Sequence, residues 1–191
     1  MKLVVSRTFR LLRQREFVEK RLRRSHIFIA LRHHDGSSSV GATSDASVGA
    51  QFAREMQVKV LNRQRKFQVP AGELLTFAEQ LVPLVSNLAS NKITEEIVVV
   101  LVSDRKISAI HQQFMAIAGA TDVITFQHGE IVVSVETAAR QAAEYKTDLF
   151  HELRLYIAHG FLHLAGYDDH SEEGFREMAK LQNELVERVE K

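Results

Sequence analysis

The chain has 191 residues, 45% of them hydrophobic, with 25 Lys/Arg against 24 Asp/Glu and no cysteine. That length suits one well-cored domain plus an appendage, and the missing cysteine excludes disulfides and thiolate metal sites, so any metal must rest on histidine and carboxylate. The longest uninterrupted apolar run, Ile97 to Val102, is a buried-strand length and far short of a membrane span.

Charge is spread unevenly. Residues 1–55 hold 11 Lys/Arg and 5 Asp/Glu, whereas residues 56–191 hold 14 and 19. The acidic body does not advertise a phosphate footprint, although Arg63-Gln-Arg65-Lys66 is a local basic cluster. From Ser6 to Arg32, arginines alternate with Leu, Phe and Ile in the pattern of a basic amphipathic helix, without the clean apolar stretch of a secretory signal. Asp35 to Ala50 is rich in Gly, Ser and Ala and reads as a disordered linker or tail. Three readings compete for residues 1–55: a nucleic-acid or membrane-surface arm, an Arg-rich targeting segment, or a stretch outside the authentic protein if synthesis begins at Met56. The last is favoured, because a strand-like pattern starts right after that methionine.

From there the elements alternate. Gln57 to Leu61 predicts a short strand, and Ala71 to Ala89 a helix interrupted or kinked at Pro83. Glu96 to Val102 predicts a fully buried strand, followed by a helix capped at Ser103-Asp104, running to about Ile117 and ended by Gly119. Val123 to Phe126 and Glu130 to Val135 are two β-branched runs joined by Gln-His-Gly, a hairpin-like connection. Three helices close the chain, roughly Glu136–Tyr145, Asp148–Ala165 and Ser171–Glu190, the last with an apolar stripe of Phe175, Met178, Leu181, Leu185 and Val189. The expected fold is α+β: a single small domain with a mixed sheet of about four strands, packed with helices.

Chemistry concentrates in His159-Gly-Phe-Leu-His163-Leu-Ala-Gly-Tyr-Asp-Asp-His170. Four helical residues rise roughly 6 Å and turn about 400°, so the two imidazoles lie one above the other on one face. Gly166 suits a C-terminal cap, after which the chain can fold back and bring a third ligand to the pair. Histidines on an amphipathic helix often only pack; the glycine turn and the following Asp-Asp-His tip the balance to a metal that activates water. A zincin peptidase would carry glutamate directly after the first histidine, and that position is Gly160. Activation then falls to the metal alone or to a carboxylate such as Asp168, and phosphodiester cleavage fits better than peptide hydrolysis.

His159-Gly-x-Leu-His163-Leu-x-Gly-Tyr-Asp resembles the signature of the YbeY family of metal-dependent endoribonucleases. Asn62-Arg63-Gln64, the block Thr121 to Phe126 and the block Gly129 to Ala138 are similar to that family's other blocks, in the same order, from about Met56 to the C-terminus. The resemblance implies a cytoplasmic, Zn²⁺-dependent, single-strand-specific endoribonuclease of rRNA maturation, at the 16S rRNA 3′ end, and of ribosome quality control. Its implied partners are precursor rRNA and ribosome or small-subunit proteins, with no membrane.

It further implies His159 and His163 as zinc ligands and a third ligand six residues beyond His163, which here is Asp169, with His170 as the alternative. Family members usually carry an arginine facing the metal before the Thr-Asp-Val block, and that position holds Met115. Either Arg63, Arg65 or Lys106 then substitutes for it from another strand or helix, or catalysis is weak. Ser134 and Glu136 need only be structural, His128 reads as a surface-loop residue, and His111 and His151 as packing or solvent-facing. A second class remains open: a ribosome-assembly or RNA-binding factor whose metal site is mainly structural.

Overall fold

The computed structural model describes residues 3–5, 56–89 and 93–190. The β-branched runs form strands β2 (Gln57–Asn62), β3 (Glu96–Val102), β4 (Val123–Phe126) and β5 (Glu130–Ser134). A fifth strand, β1 (Leu3–Val5), adds to the expected four, and the sheet order is β1-β4-β5-β3-β2. β2, β3 and β5 run parallel, while β4 lies antiparallel to both β5 and β1. The basic helix expected over Ser6 to Arg32 and the linker after it lie outside the described residues.

Successive strand residues face opposite sides of a sheet, and this sheet is covered on both. On one face α2 (Asp104–Met115) sets Ile107 against Val102, Ile124, Phe126 and Val132. On the other, Ile97, Val99, Leu101, Val123, Ile131 and Val133 meet a larger core supplied by α1 (Ala71–Ser86), α3 (Val135–Tyr145), α4 (Leu149–Leu164) and α5 (Glu172–Val189). A strand apolar on both sides is what a covered parallel sheet requires, and β3 is that strand.

Helix α4 is central: it touches α1, α3, α5, β4 and β5. Leu153, Ile157, Phe161 and Leu162 are fully buried in it, each contributing about 1.5–3 kcal/mol by burial. Side-chain caps start the helices as their sequences lead one to expect: Ser103 accepts from the Lys106 N–H, Ser134 from Thr137, Asp148 from His151 and Ser171 from Gly174. No helix among the described residues is long and apolar enough to cross a membrane.

Three local expectations need correction. Pro83 does not interrupt α1, which continues to Ser86 with Pro83 on its exposed side. Helix α2 stops at Met115, before Gly119, because Ala116 already turns left-handed with φ 56° and donates its N–H to the Gln112 carbonyl. On α5 the buried face is Met178, Ala179, Gln182, Leu185 and Val186, rotated from the expected stripe, with Phe175, Leu181 and Val189 only half-buried.

Candidate metal centre

The site grows out of the end of α4. Gly166, at φ 100°, closes the helix: its N–H donates to the His163 carbonyl at 3.1 Å and the Tyr167 N–H to the Leu162 carbonyl at 3.0 Å. This pair of bonds is the Schellman arrangement, which turns the chain back on the helix it ends. The return carries the Tyr167 carbonyl to His163 Nδ1, 3.0 Å away, and delivers Asp169 to the histidine pair. The imidazoles stand with ring centroids 4.5 Å apart and planes at 84°. Asp169 Oδ2 lies 3.8 Å from His159 Nε2, and Asp169 Oδ1 lies 4.0 Å from His163 Nε2.

These three residues offer ligand atoms that all lie within 4.8 Å of one another. Two donors about 2.1 Å from a tetrahedral cation stand roughly 3.4 Å apart, so the spacing needs only a slight contraction. The side chains of His159, His163 and Asp169 are 4%, 0% and 1% exposed, and burying a carboxylate there carries a desolvation cost that a bound cation would offset. His163 Nε2 is buried and makes no hydrogen bond. Burial pushes the His163 imidazole well below its usual range, the neighbouring His159 pushes the same way, and the Tyr167 carbonyl only partly opposes them. The neutral ring donates Nδ1–H to a carbonyl, which leaves the Nε2 lone pair for a metal. His159 is placed in the same way, with Nδ1 3.0 Å from Gln182 Oε1. Donor set, spacing and dryness therefore fit a divalent cation.

Other expected residues fall elsewhere. Asp168 and His170 are exposed and paired with each other; the His170 N–H also donates to Asp168 Oδ1 at 2.7 Å. His170, Asp168 and Asp169 form a second metal-capable grouping that shares Asp169 with the buried one. Arg63 and Arg65 are exposed on the loop after β2, where the parallel strands end, whereas Gln127 Nε2 meets the His163 carbonyl at 3.5 Å just before β5 begins.

Buried Gln64 shapes that arginine loop: its Nε2 donates to the Phe67 carbonyl at 2.8 Å and its Oε1 accepts from the Lys66 and Phe67 N–H groups. Lys106 is exposed in the first turn of α2. Met115 is half-buried and packs on the α2 cluster. His128 is exposed beside Glu130, His151 half-buried near Glu190, and His111 buried with Nδ1 3.0 Å from the Gly119 carbonyl. Ser134 and Glu136 belong to a polar joint: the Ser134 and Thr137 hydroxyls and Arg140 donate to Asp104, and Glu136 accepts from the Asp104 N–H and Lys66.

Two site residues escaped the sequence reading. Gln182 sits four residues after Met178 and three before Leu185, on the buried face of α5, and that spacing was the available signal. Asp122, 1% exposed at the start of β4, accepts from the Thr121 hydroxyl and the Val123 N–H. Burial pushes its carboxyl up, against those hydrogen bonds and the pull of His159.

Comparison with known proteins agrees with this architecture. Residues 59–190 match the family model described as Endoribonuclease YbeY. The chain is 37% identical over 102 residues to the Endoribonuclease YbeY of Prochlorococcus marinus, covering 46% of this chain and 55% of that one. It is 31% identical over 150 residues to the Endoribonuclease YbeY of Desulforamulus reducens, covering 70% of this chain and 97% of that one. The matched stretch is thus about half the length of the first relative and nearly all of the second. The solution structure of TM1509 from Thermotoga maritima aligns with a TM-score of 0.53 at 29% identity, over 70% of this chain and 89% of that one. With a family model running from within β2 to the end of α5, and a relative matched almost end to end, the chain belongs to the endoribonuclease YbeY family.

Proposed function

We propose that this chain is a Zn²⁺-dependent endoribonuclease that cuts single-stranded RNA in rRNA maturation, at the 3′ end of 16S rRNA, and in ribosome quality control. In this reading its partners are precursor rRNA and the small ribosomal subunit, its place is the cytoplasm, and its catalytic unit is residues 56–191, with 1–55 as an extension. The observation that carries the reading is the convergence of His159, His163 and Asp169 in a dry site, with each imidazole's Nδ1 set against an acceptor. Family membership supports RNA as the substrate.

Held by His159, His163 and Asp169, Zn²⁺ would supply the Lewis acidity that makes water a nucleophile near neutral pH and would neutralise charge on a phosphodiester. The chain's own residues do the rest. His159 and His163 are aimed by their Nδ1 partners, and burial keeps His163 neutral. Asp169 brings one negative charge to the donor set, which tempers that acidity relative to three neutral imidazoles. Asp168, exposed beside the site and paired with His170, is the group assigned to receive a proton from the attacking water. Arg63 and Arg65 are assigned to RNA phosphates away from the scissile bond.

Met115 favours the second reading, an assembly or RNA-binding factor with a structural metal, because an apolar side chain stands at the position where the family resemblance expects an arginine to meet developing phosphate charge. The deciding experiment is metal analysis and single-stranded RNA cleavage with the purified chain and its His163→Ala variant. Stoichiometric zinc and metal-dependent cleavage, both lost in the variant, support the nuclease. Zinc without cleavage supports the assembly factor, and no zinc in either protein overturns both readings.

A further inference from the structure

The two histidines are oriented by different devices. His163 leans on a backbone carbonyl four residues away, which every sequence able to make the Gly166 turn supplies. His159 leans on a side chain 23 residues away, on another helix: Gln182 Oε1, 3.0 Å from Nδ1. We infer that Gln182 is the positioning residue of the metal centre, fixing the ring plane and tautomer of His159 so that Nε2 presents a lone pair to the cation. This rests on His159 being a ligand, as proposed above.

Three observations support it. Gln182 is 1% exposed, on an α5 face otherwise made of Met178, Ala179, Leu185 and Val186. An amide in such a place costs free energy unless its polar atoms are used, and leucine would pack there at no such cost. An amide oxygen only accepts, so this contact is a hydrogen bond in the tautomer that carries the proton on His159 Nδ1. Finally, Nε2 is the atom that faces Asp169 Oδ2, 3.8 Å away. A ring flipped to carry its proton on Nε2 would aim a hydrogen at the cation instead of a lone pair. Outer partners of this kind typically change metal affinity by 10–100-fold when removed.

The test uses the full chain, with Zn²⁺ as the probe and three proteins: wild type, Gln182→Leu and Gln182→Glu. Zinc affinity is measured by competition with a chromophoric chelator, and the His159 tautomer by nitrogen NMR of the metal-free proteins. Gln182→Leu is expected to bind zinc about 10–100-fold more weakly and to lose the Nδ1–H form of His159 while His163 keeps its own. Gln182→Glu, which retains an acceptor, is expected to hold both properties near wild type. Leucine and wild-type affinities within about threefold of each other would overturn the inference. So would a wild-type His159 protonated at Nε2, a result that needs no variant to fold. Wild type that binds no zinc but shows the Nδ1–H tautomer would defeat the metal reading and leave the orienting contact standing.

Discussion

Gly160 and Ile131 meet where α4 crosses β5: a Cβ added to Gly160 would fall 2.7 Å from Ile131 Cγ2 and 3.0 Å from its Cδ1. The glycine standing where a zincin has its glutamate is therefore a packing device. It lets the histidine helix lie directly on the sheet, which sets the height of the ligands above it. Gly160→Ala is expected to lower stability by about 1 kcal/mol, overpacking of 1–3 kcal/mol exceeding the helix-propensity gain of about 1 kcal/mol. Gly160→Glu should cost more than about 3 kcal/mol, since it buries a charge in the same contact, and should confer no peptidase activity. Urea denaturation reads both; an alanine variant more stable than wild type would refute this packing role.

The third ligand is separable by substitution. Asp169→Ala is expected to weaken zinc binding at least 100-fold and leave the buried pair with two ligands. His170→Ala, which touches only the exposed Asp168 pair and the rim of the site, should stay within a few fold. Equilibrium dialysis decides; the opposite order would move the third ligand to His170.

Stability of the metal-free protein should fall in acid in two stages. His163 has a folded pKa below its unfolded value near 6.5, so between the two the unfolded chain takes up the proton and the fold does not. Its contribution is complete above pH 6.5 and is lost as pH falls below it, at up to about 1.4 kcal/mol per pH unit. Asp104 follows at lower pH. Burial raises its carboxyl, but hydrogen bonds from Ser134, Arg140 and Thr137 outweigh that and hold it below 3.8. Its contribution is therefore present above pH 3.8 and disappears as the carboxylate protonates. Urea midpoints measured on chelator-stripped protein from pH 8 to pH 3 should trace both, and Asp104→Asn should erase only the lower stage.

Met115→Arg places a cation where the family resemblance expects an arginine. A nuclease starved of that charge should then cut single-stranded RNA tenfold faster or more, in line with the few kcal/mol such preorganised partners supply. The variant should lose about 1 kcal/mol of stability, because Met115 packs beside Ile107 and Phe126. Unchanged RNA cleavage alongside unchanged RNA binding would favour the assembly factor.

Where local periodicity and end signals suffice, the fold was legible. The run Ile97 to Val102, the capping Ser103 and the pair His159/His163 with Gly166 each carry their reason within about ten residues. What escaped depends on separation along the chain. The partner of His159 is on the next helix, and the face α5 buries is set by what α4 presents, so the apolar stripe passed over Gln182. The burial of Asp122 follows from β4 lying under α4, and the left-handed Ala116 has no residue-level signature, since alanine does not favour that conformation.

The pairing of Leu3, Val4 and Val5 with Phe126, Thr125 and Ile124 bears on how the protein should be produced. Those three residues occupy the outer rim of β4, and a recombinant version trimmed to begin at Met56 would strip them away. The bared N–H and C=O groups of β4 would then be open to any extended segment, including the same strand of another trimmed molecule. Self-association on trimming, visible by light scattering and suppressed by adding back a peptide spanning residues 1–8, is the expected cost of the shorter version.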